Sequence, residues 1–139
     1  MGLDAHPARR LYWFLIAKGY KTYRFLPTFF HEFYPRFDAA SPAPLRQIVD
    51  RLAMRKYPTR YDSRAGIIAA DRDACRLRSG VADVTRERLR DPHVRFFVER
   101  NPAHVDGDEL CCLAPLTREN FTSAAYRVIG GAESVLVIR

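Results

Sequence analysis

The sequence predicts one α+β domain in which three to four helices pack on a small mixed sheet, and three features predict it. Two continuous apolar runs, Leu11 to Ile16 and Leu110 to Ala114, have the form of buried strands. Leu45, Ile48, Val49, Leu52 and Ala53 recur at i, i+3, i+4, i+7 and i+8, the stripe of an amphipathic helix. The 139 residues suit a single core, so one domain spanning 1–139 is expected. With 47% hydrophobic and 12% aromatic residues against 28% charged, the chain carries enough core-forming side chains to fold.

Leu11-Tyr-Trp-Phe-Leu-Ile16 is bounded by Gly19, which favours a buried strand. Between Thr22 and Tyr34 aromatic residues crowd unevenly around Pro27, and a helix is expected to start near that proline. Asp38 to Pro44 is a turn-rich connector, with Ser41 as N-cap and Pro42 as first residue of the amphipathic helix, which ends before Pro58. Tyr57 to Ser63 is expected as a loop and Gly66 to Ala69 as a short strand, followed by a charged stretch from Asp71 to Gly80. Asp91-Pro92 repeats the cap-and-proline signature, opening a helix through Val94, Phe97 and Val98 that Asn101-Pro102 closes. A turn at Gly107 precedes the second apolar strand, which Pro115 stops. Thr117 or Thr122 caps a last helix ending at Gly130-Gly131, and Val135 to Ile138 is a candidate terminal strand. The expected core includes Trp13, Leu15, Phe29, Leu52, Phe97, Leu113 and Val128.

The formal net charge of +7 is unevenly placed: eleven Lys/Arg face four Asp/Glu up to Arg60, and twelve face twelve beyond it. Such asymmetry suggests an anionic partner for the first part, such as a phosphorylated cofactor or nucleic acid, although a solvated basic surface gives the same count. No zinc-finger or RNP signature marks nucleic-acid binding. The apolar run that ends at Ala17 is far short of the roughly 20 residues that cross a bilayer and lacks the features of a secretory signal, so no membrane partner and a cytoplasmic location are expected. Cys75, Cys111 and Cys112 form an odd set without metal or redox spacing. Strand alternation would send the Cys111 and Cys112 thiols to opposite faces, as core packing or as a reactive thiol.

Leu11 to Pro27, with Phe29-Phe30 and Phe33-Tyr-Pro-Arg36, and Phe96-Phe-Val-Glu-Arg-Asn-Pro102 through Gly107-Asp-Glu-Leu110 together resemble a group of uncharacterised bacterial proteins. The first stretch is similar to the later sheet region of GNAT-like acyltransferases. The resemblance implies a domain matching the part after that family's cofactor-binding core, without the strands that precede it, and acyl-coenzyme A as a cofactor. The family's pyrophosphate-binding pattern, Arg/Gln-x-x-Gly-x-Gly/Ala, has one literal match here, Arg127-Val-Ile-Gly130-Gly131-Ala132. Its position after a helix-like segment also fits a plain helix terminator.

Two groups of residues can carry chemistry. Lys18, Tyr20, Lys21, Tyr23 and Arg24 follow the first strand, where open α/β sheets bind ligands, and supply cations for phosphate and rings for stacking. The same alternation also suits a sheet edge guarded by lysines. His104 and Glu109, in a turn with Glu99, Asn101, Asp106 and Asp108, are the candidates for proton transfer, although such residues also satisfy their own backbone. No metal-binding spacing is present there. His31 is expected to be packed among aromatics and His93 to sit in the first turn of a helix, while no serine has the glycine-flanked elbow of a hydrolase. Two functions remain: an acyltransferase-like domain, or a non-enzymatic basic module that binds nucleic acid or a partner protein.

Overall fold

The structure is a computed structural model that describes residues 11–70 and 84–129. Its α+β architecture is built on a four-stranded sheet of order β1-β4-β3-β2, with β1 at Tyr12–Ala17, β2 at Tyr61–Asp62, β3 at Ile67–Ile68 and β4 at Glu109–Pro115. Every pairing is antiparallel, so the sheet is not the mixed one expected. The cause lies in the connections. Gly66, at φ +69°, turns the β2–β3 hairpin, and β4 starts with Glu109 opposite Ile68, so it runs back along β3.

Period-two alternation gives the sheet two apolar faces. Ala17, Leu110, Cys112 and Ala114 join Tyr23, Leu26, Phe33 and Phe97 in the larger core, with Trp13 and Leu15 packed against it. Ile68 and Cys111 face the other way, toward Ala53, and Phe14, Ile16, Val49 and Tyr61 pack around them. Cys111 and Cys112 therefore do point to opposite faces, as alternation requires.

The larger core is closed by α1 (Tyr20–Tyr23), α2 (Phe25–Phe29), α4 (Pro92–Arg100) and α5 (Ser123–Ile129), and the smaller by α3 (Ala43–Lys56). A helix does start near Pro27, at Phe25, and one further helical turn, Tyr20–Tyr23, precedes it. Pro27 sits in the first turn of α2, where a missing N–H costs nothing, and the ladder resumes with Thr28 N–H donating to Arg24 O at 3.2 Å. The helix stops where Phe30 turns extended and bridges Phe121.

The amphipathic helix forms as the stripe requires but starts one residue late. Pro42, in extended conformation, is the N-cap, its carbonyl accepts from Arg46 N–H at 3.0 Å, and Pro44 falls in the first turn. Ser41 is left free to line the groove described below. The start of α4 matches its signature, with Asp91 Oδ1 accepting from His93 N–H at 2.9 Å. At α5, Thr122 Oγ1 accepts from Ala125 N–H at 3.3 Å, whereas Thr117 precedes the short 3-10 turn Arg118–Asn120 without a side-chain capping bond.

Of the expected core, Phe97 and Leu113 are fully buried, but Trp13, Leu15, Phe29 and Leu52 are half-buried and the Val128 side chain lies outside the described positions. Because β1 is an edge strand among the described residues, its middle has a neighbour on one side only. The largest buried side chain is instead Tyr23, whose hydroxyl donates to Pro35 O at 2.6 Å. The Asp71–Gly80 stretch, Cys75, the Gly130–Ala132 part of the glycine motif and the Val135–Ile138 strand fall outside the described residues. No helix among the described residues is long and apolar enough to cross a membrane.

Candidate functional site

A groove of about 450 Å³ opens on the α3 face of the sheet, within the range of small-molecule sites. β4 supplies the floor through Leu110, Cys111 and Leu113, all buried, and α3 contributes Leu45 and Val49 beside it. Tyr34, Pro35 and Ser41 form another wall, and the β2–β3 hairpin contributes Tyr61, Ser63 and Arg64.

That wall is fixed from behind. Tyr34 and Leu113 exchange backbone hydrogen bonds of 2.9 and 2.8 Å. Arg36 donates to His31 O at 2.8 Å and to both carboxylate oxygens of Asp38, and its guanidinium lies 4.5 Å from the Phe33 ring centroid. The hydrogen bond from Arg36 holds the Asp38 carboxyl below its usual range. Tyr34 donates its hydroxyl to Glu32 at 2.6 Å, and burial followed by that bond pushes the phenol up to about 12.

Charge is concentrated at the rim. Arg46 comes from α3, Arg64 from the hairpin turn and Arg100 from the end of α4, and all three are exposed. The ion pairs among the described residues are Arg24–Asp91 at 3.0 Å and Arg36–Asp38 at 2.5 Å, so none of the three rim guanidiniums has one there. The acidic side chain in the lining, Asp50, already accepts from the Tyr61 hydroxyl. Burial and that hydrogen bond push the Tyr61 phenol upward, so it remains a donor.

Three cations and an apolar floor thus line the same groove. The one thiol there, Cys111, is pushed up to about 12 by burial and by Glu109 and Asp50, which leaves it protonated at neutral pH. Among the described residues no histidine lines the groove. Among the described residues no cluster of His, Cys, Asp and Glu is arranged to hold a metal ion.

None of the seven site residues expected from sequence lines this groove. Lys18, Tyr20, Lys21, Tyr23 and Arg24 lie at the turn from β1 into α1 rather than along a sheet edge. There Lys21 is exposed, Lys18 and Tyr20 are half-buried, and Arg24 pairs with Asp91. Tyr23 is 0% exposed and faces inward against Phe33 and Phe97, out of a ligand's reach. His104 is 5% exposed, its Nδ1 2.9 Å from Asn101 O and its ring edge-on to Phe97. Glu109 is half-buried at the start of β4. Asp108 ties its turn together, with Oδ1 accepting from Ala70 N–H and its carbonyl from Asn101 Nδ2, each at 2.9 Å.

His31 and His93 differ from each other in burial, and only His93 keeps its expected place. His31 is exposed, while His93, in the first turn of α4 as expected, is wedged between Phe33 and Phe37 with Nδ1 buried and without a hydrogen bond. The rim arginines are spread over fifty-four positions of sequence, from Arg46 to Arg100, and no local signal marks their convergence. Comparisons of the chain with protein-family models, with curated proteins and with solved structures find no match.

Proposed function

We propose that this chain binds a phosphorylated small ligand in the α3 groove, with Arg46, Arg64 and Arg100 receiving the phosphate oxygens and β4 carrying the ligand's body. The observation behind this reading is that three guanidiniums without an ion-pair partner among the described residues share the rim of one groove. Like charges are costly to bring together, and guanidinium forks match phosphate geometry. The similarity of Leu11 to Pro27 to GNAT-like acyltransferases makes acetyl-coenzyme A the first ligand to try. It also makes acyl transfer the first reaction to assay, although His104 and Glu109, the residues expected to transfer protons, lie outside this groove.

The test is a thermal-shift titration with acetyl-coenzyme A, coenzyme A and pyrophosphate on the wild type, on Arg46→Ala/Arg64→Ala and on Lys21→Ala/Arg24→Ala. A ligand held only by the folded state at a hundred times its Kd adds about 2.7 kcal/mol of stability, so the melting temperature rises by several degrees. The expected result is a saturable rise that the Arg46/Arg64 variant loses and the Lys21/Arg24 variant keeps. The reverse pattern moves the ligand to the β1–α1 turn, and no rise with any of the three compounds removes the proposal.

A further inference from the structure

Cations continue beyond the groove along α3 and the β2–β3 hairpin. Arg46, Arg51, Arg55 and Lys56 are exposed on α3, and Arg64 is exposed on the hairpin. Between them Arg60 lays its guanidinium 4.9 Å from the Tyr57 ring centroid. From Ala43 to Gly66 the acidic residues are Asp50, engaged by Tyr61, and Asp62, whose Oδ1 accepts from Arg64 N–H at 2.9 Å. None of the five exposed cations belongs to an ion pair among the described residues.

Helix stability does not explain this arrangement. The negative end of the helix dipole favours Arg55 and Lys56 in the last turn, but Arg46 lies near the positive end, where α3 has no acidic residue. Arg51 and Arg55 are a like-charged i, i+4 pair, which opposes the helix. Five of the six cations between Ala43 and Gly66 are arginines, the side chain suited to phosphate and to stacking on bases.

We infer that α3 and the β2–β3 hairpin bind single-stranded nucleic acid, which crosses the helix with backbone phosphates at Arg51, Arg55 and Lys56 and one phosphate at the groove between Arg46 and Arg64, an inference that rests on the anion-binding reading of the groove. A single strand fits better than a duplex, because a groove beside a helix admits one nucleotide and not a stiff rod. A bilayer fits worse, because the one large apolar side chain α3 exposes is Met54, where membrane-surface helices carry a whole apolar face. The Arg60–Tyr57 pair adds a flat surface on which a base can stack.

The test is fluorescence anisotropy of labelled oligouridylate and oligothymidylate with the full chain over a series of salt concentrations. If five cations meet phosphates, log K against log salt has a slope of about −3.5, from about 0.7 per contact on a single strand. Arg51→Ala/Arg55→Ala/Lys56→Ala makes the slope shallower by about 2, with circular dichroism confirming that the fold persists. The inference is overturned by a flat salt response, by a triple variant with the wild-type slope, or by binding to phosphatidylserine vesicles without binding to either oligonucleotide. If pyrophosphate raises the melting temperature and the oligonucleotides do not bind, this inference fails and the groove reading stands. If neither acts, both fail.

Discussion

The β1–α1–α2 segment and the α3 groove are both rich in cations and aromatic rings, yet they differ in how those groups are used. Around α1 Tyr23 donates to Pro35 O and Arg24 pairs with Asp91, which leaves Lys18 and Lys21 as the cations of that segment without an ion pair among the described residues. Around α3 the guanidiniums of Arg46, Arg64 and Arg100 border an open groove without an ion-pair partner among the described residues. Charge counted along the chain cannot separate these cases, because it registers residue type and not satisfaction. A charge is available to a ligand only where the fold has not already used it.

The sharpest way to break this comparison is to remove one residue from each region. Tyr23→Ala should cost about 3–5 kcal/mol, since it empties a fully buried aromatic site. Tyr23→Phe should cost about 1 kcal/mol, for the hydrogen bond to Pro35 O alone. Arg46→Ala, an exposed side chain, should stay within about 0.5 kcal/mol of wild type. Chemical denaturation reads all three, and a tolerated Tyr23→Ala would mean that the larger core is not organised around this ring. Next in size, Asp91→Ala should cost about 1 kcal/mol through the lost cap of α4. Arg24→Ala should cost less, because its partner interaction joins side chains 44% and 26% exposed.

A pH titration of stability sharpens the contrast further. Burial lowers the His93 pKa below the usual 6.5, against the opposing pull of Asp91 and Asp38 and with Arg36 and Arg24 adding to the lowering. The folded state therefore prefers neutral imidazole, and the unfolded chain takes up the proton first as pH falls. This contribution is complete above about 6.5 and is lost as pH drops through the folded pKa. Melting temperature should fall from pH 7 downward, and His93→Gln should flatten that fall. Parallel curves for the two proteins would show that the Phe33–Phe37 wedge does not hold His93 neutral.

Much of the fold was legible because its signals are local. The stripe from Leu45 to Ala53, the Asp91-Pro92 cap and the Leu110–Ala114 run each depend on near neighbours, and each forms the expected element. The helix near Pro27 forms too, whereas the preceding turn Tyr20–Tyr23 has neither a side-chain cap nor an acidic first turn to announce it. Trp13 and Leu15 look like core in sequence, but strand order puts β1 at the edge among the described residues. The groove was illegible for the same reason, since Arg46, Arg64 and Arg100 meet only through pairing and helix packing. His104, conspicuous in sequence for its chemistry, is spent on Asn101 O and Phe97.

The smallest expected effect concerns the adjacent thiols, one on each face of β4. Cys112 is wholly buried in the larger core, and burial raises its pKa well above the usual thiol value. Cys111 is 2% exposed at the floor of the groove and is pushed from 9.0 up to about 12, a roughly thousandfold loss of thiolate at neutral pH. In a Cys75→Ser background, iodoacetamide should therefore label the native protein far more slowly than the protein in guanidinium chloride, with Cys111 ahead of Cys112. A bound anionic ligand should slow Cys111 further and leave Cys112 unchanged, because only Cys111 faces the groove. Rapid labelling of Cys111 in the native state would mean that the rim arginines hold a thiolate, turning a binding groove into one with a nucleophile at its base.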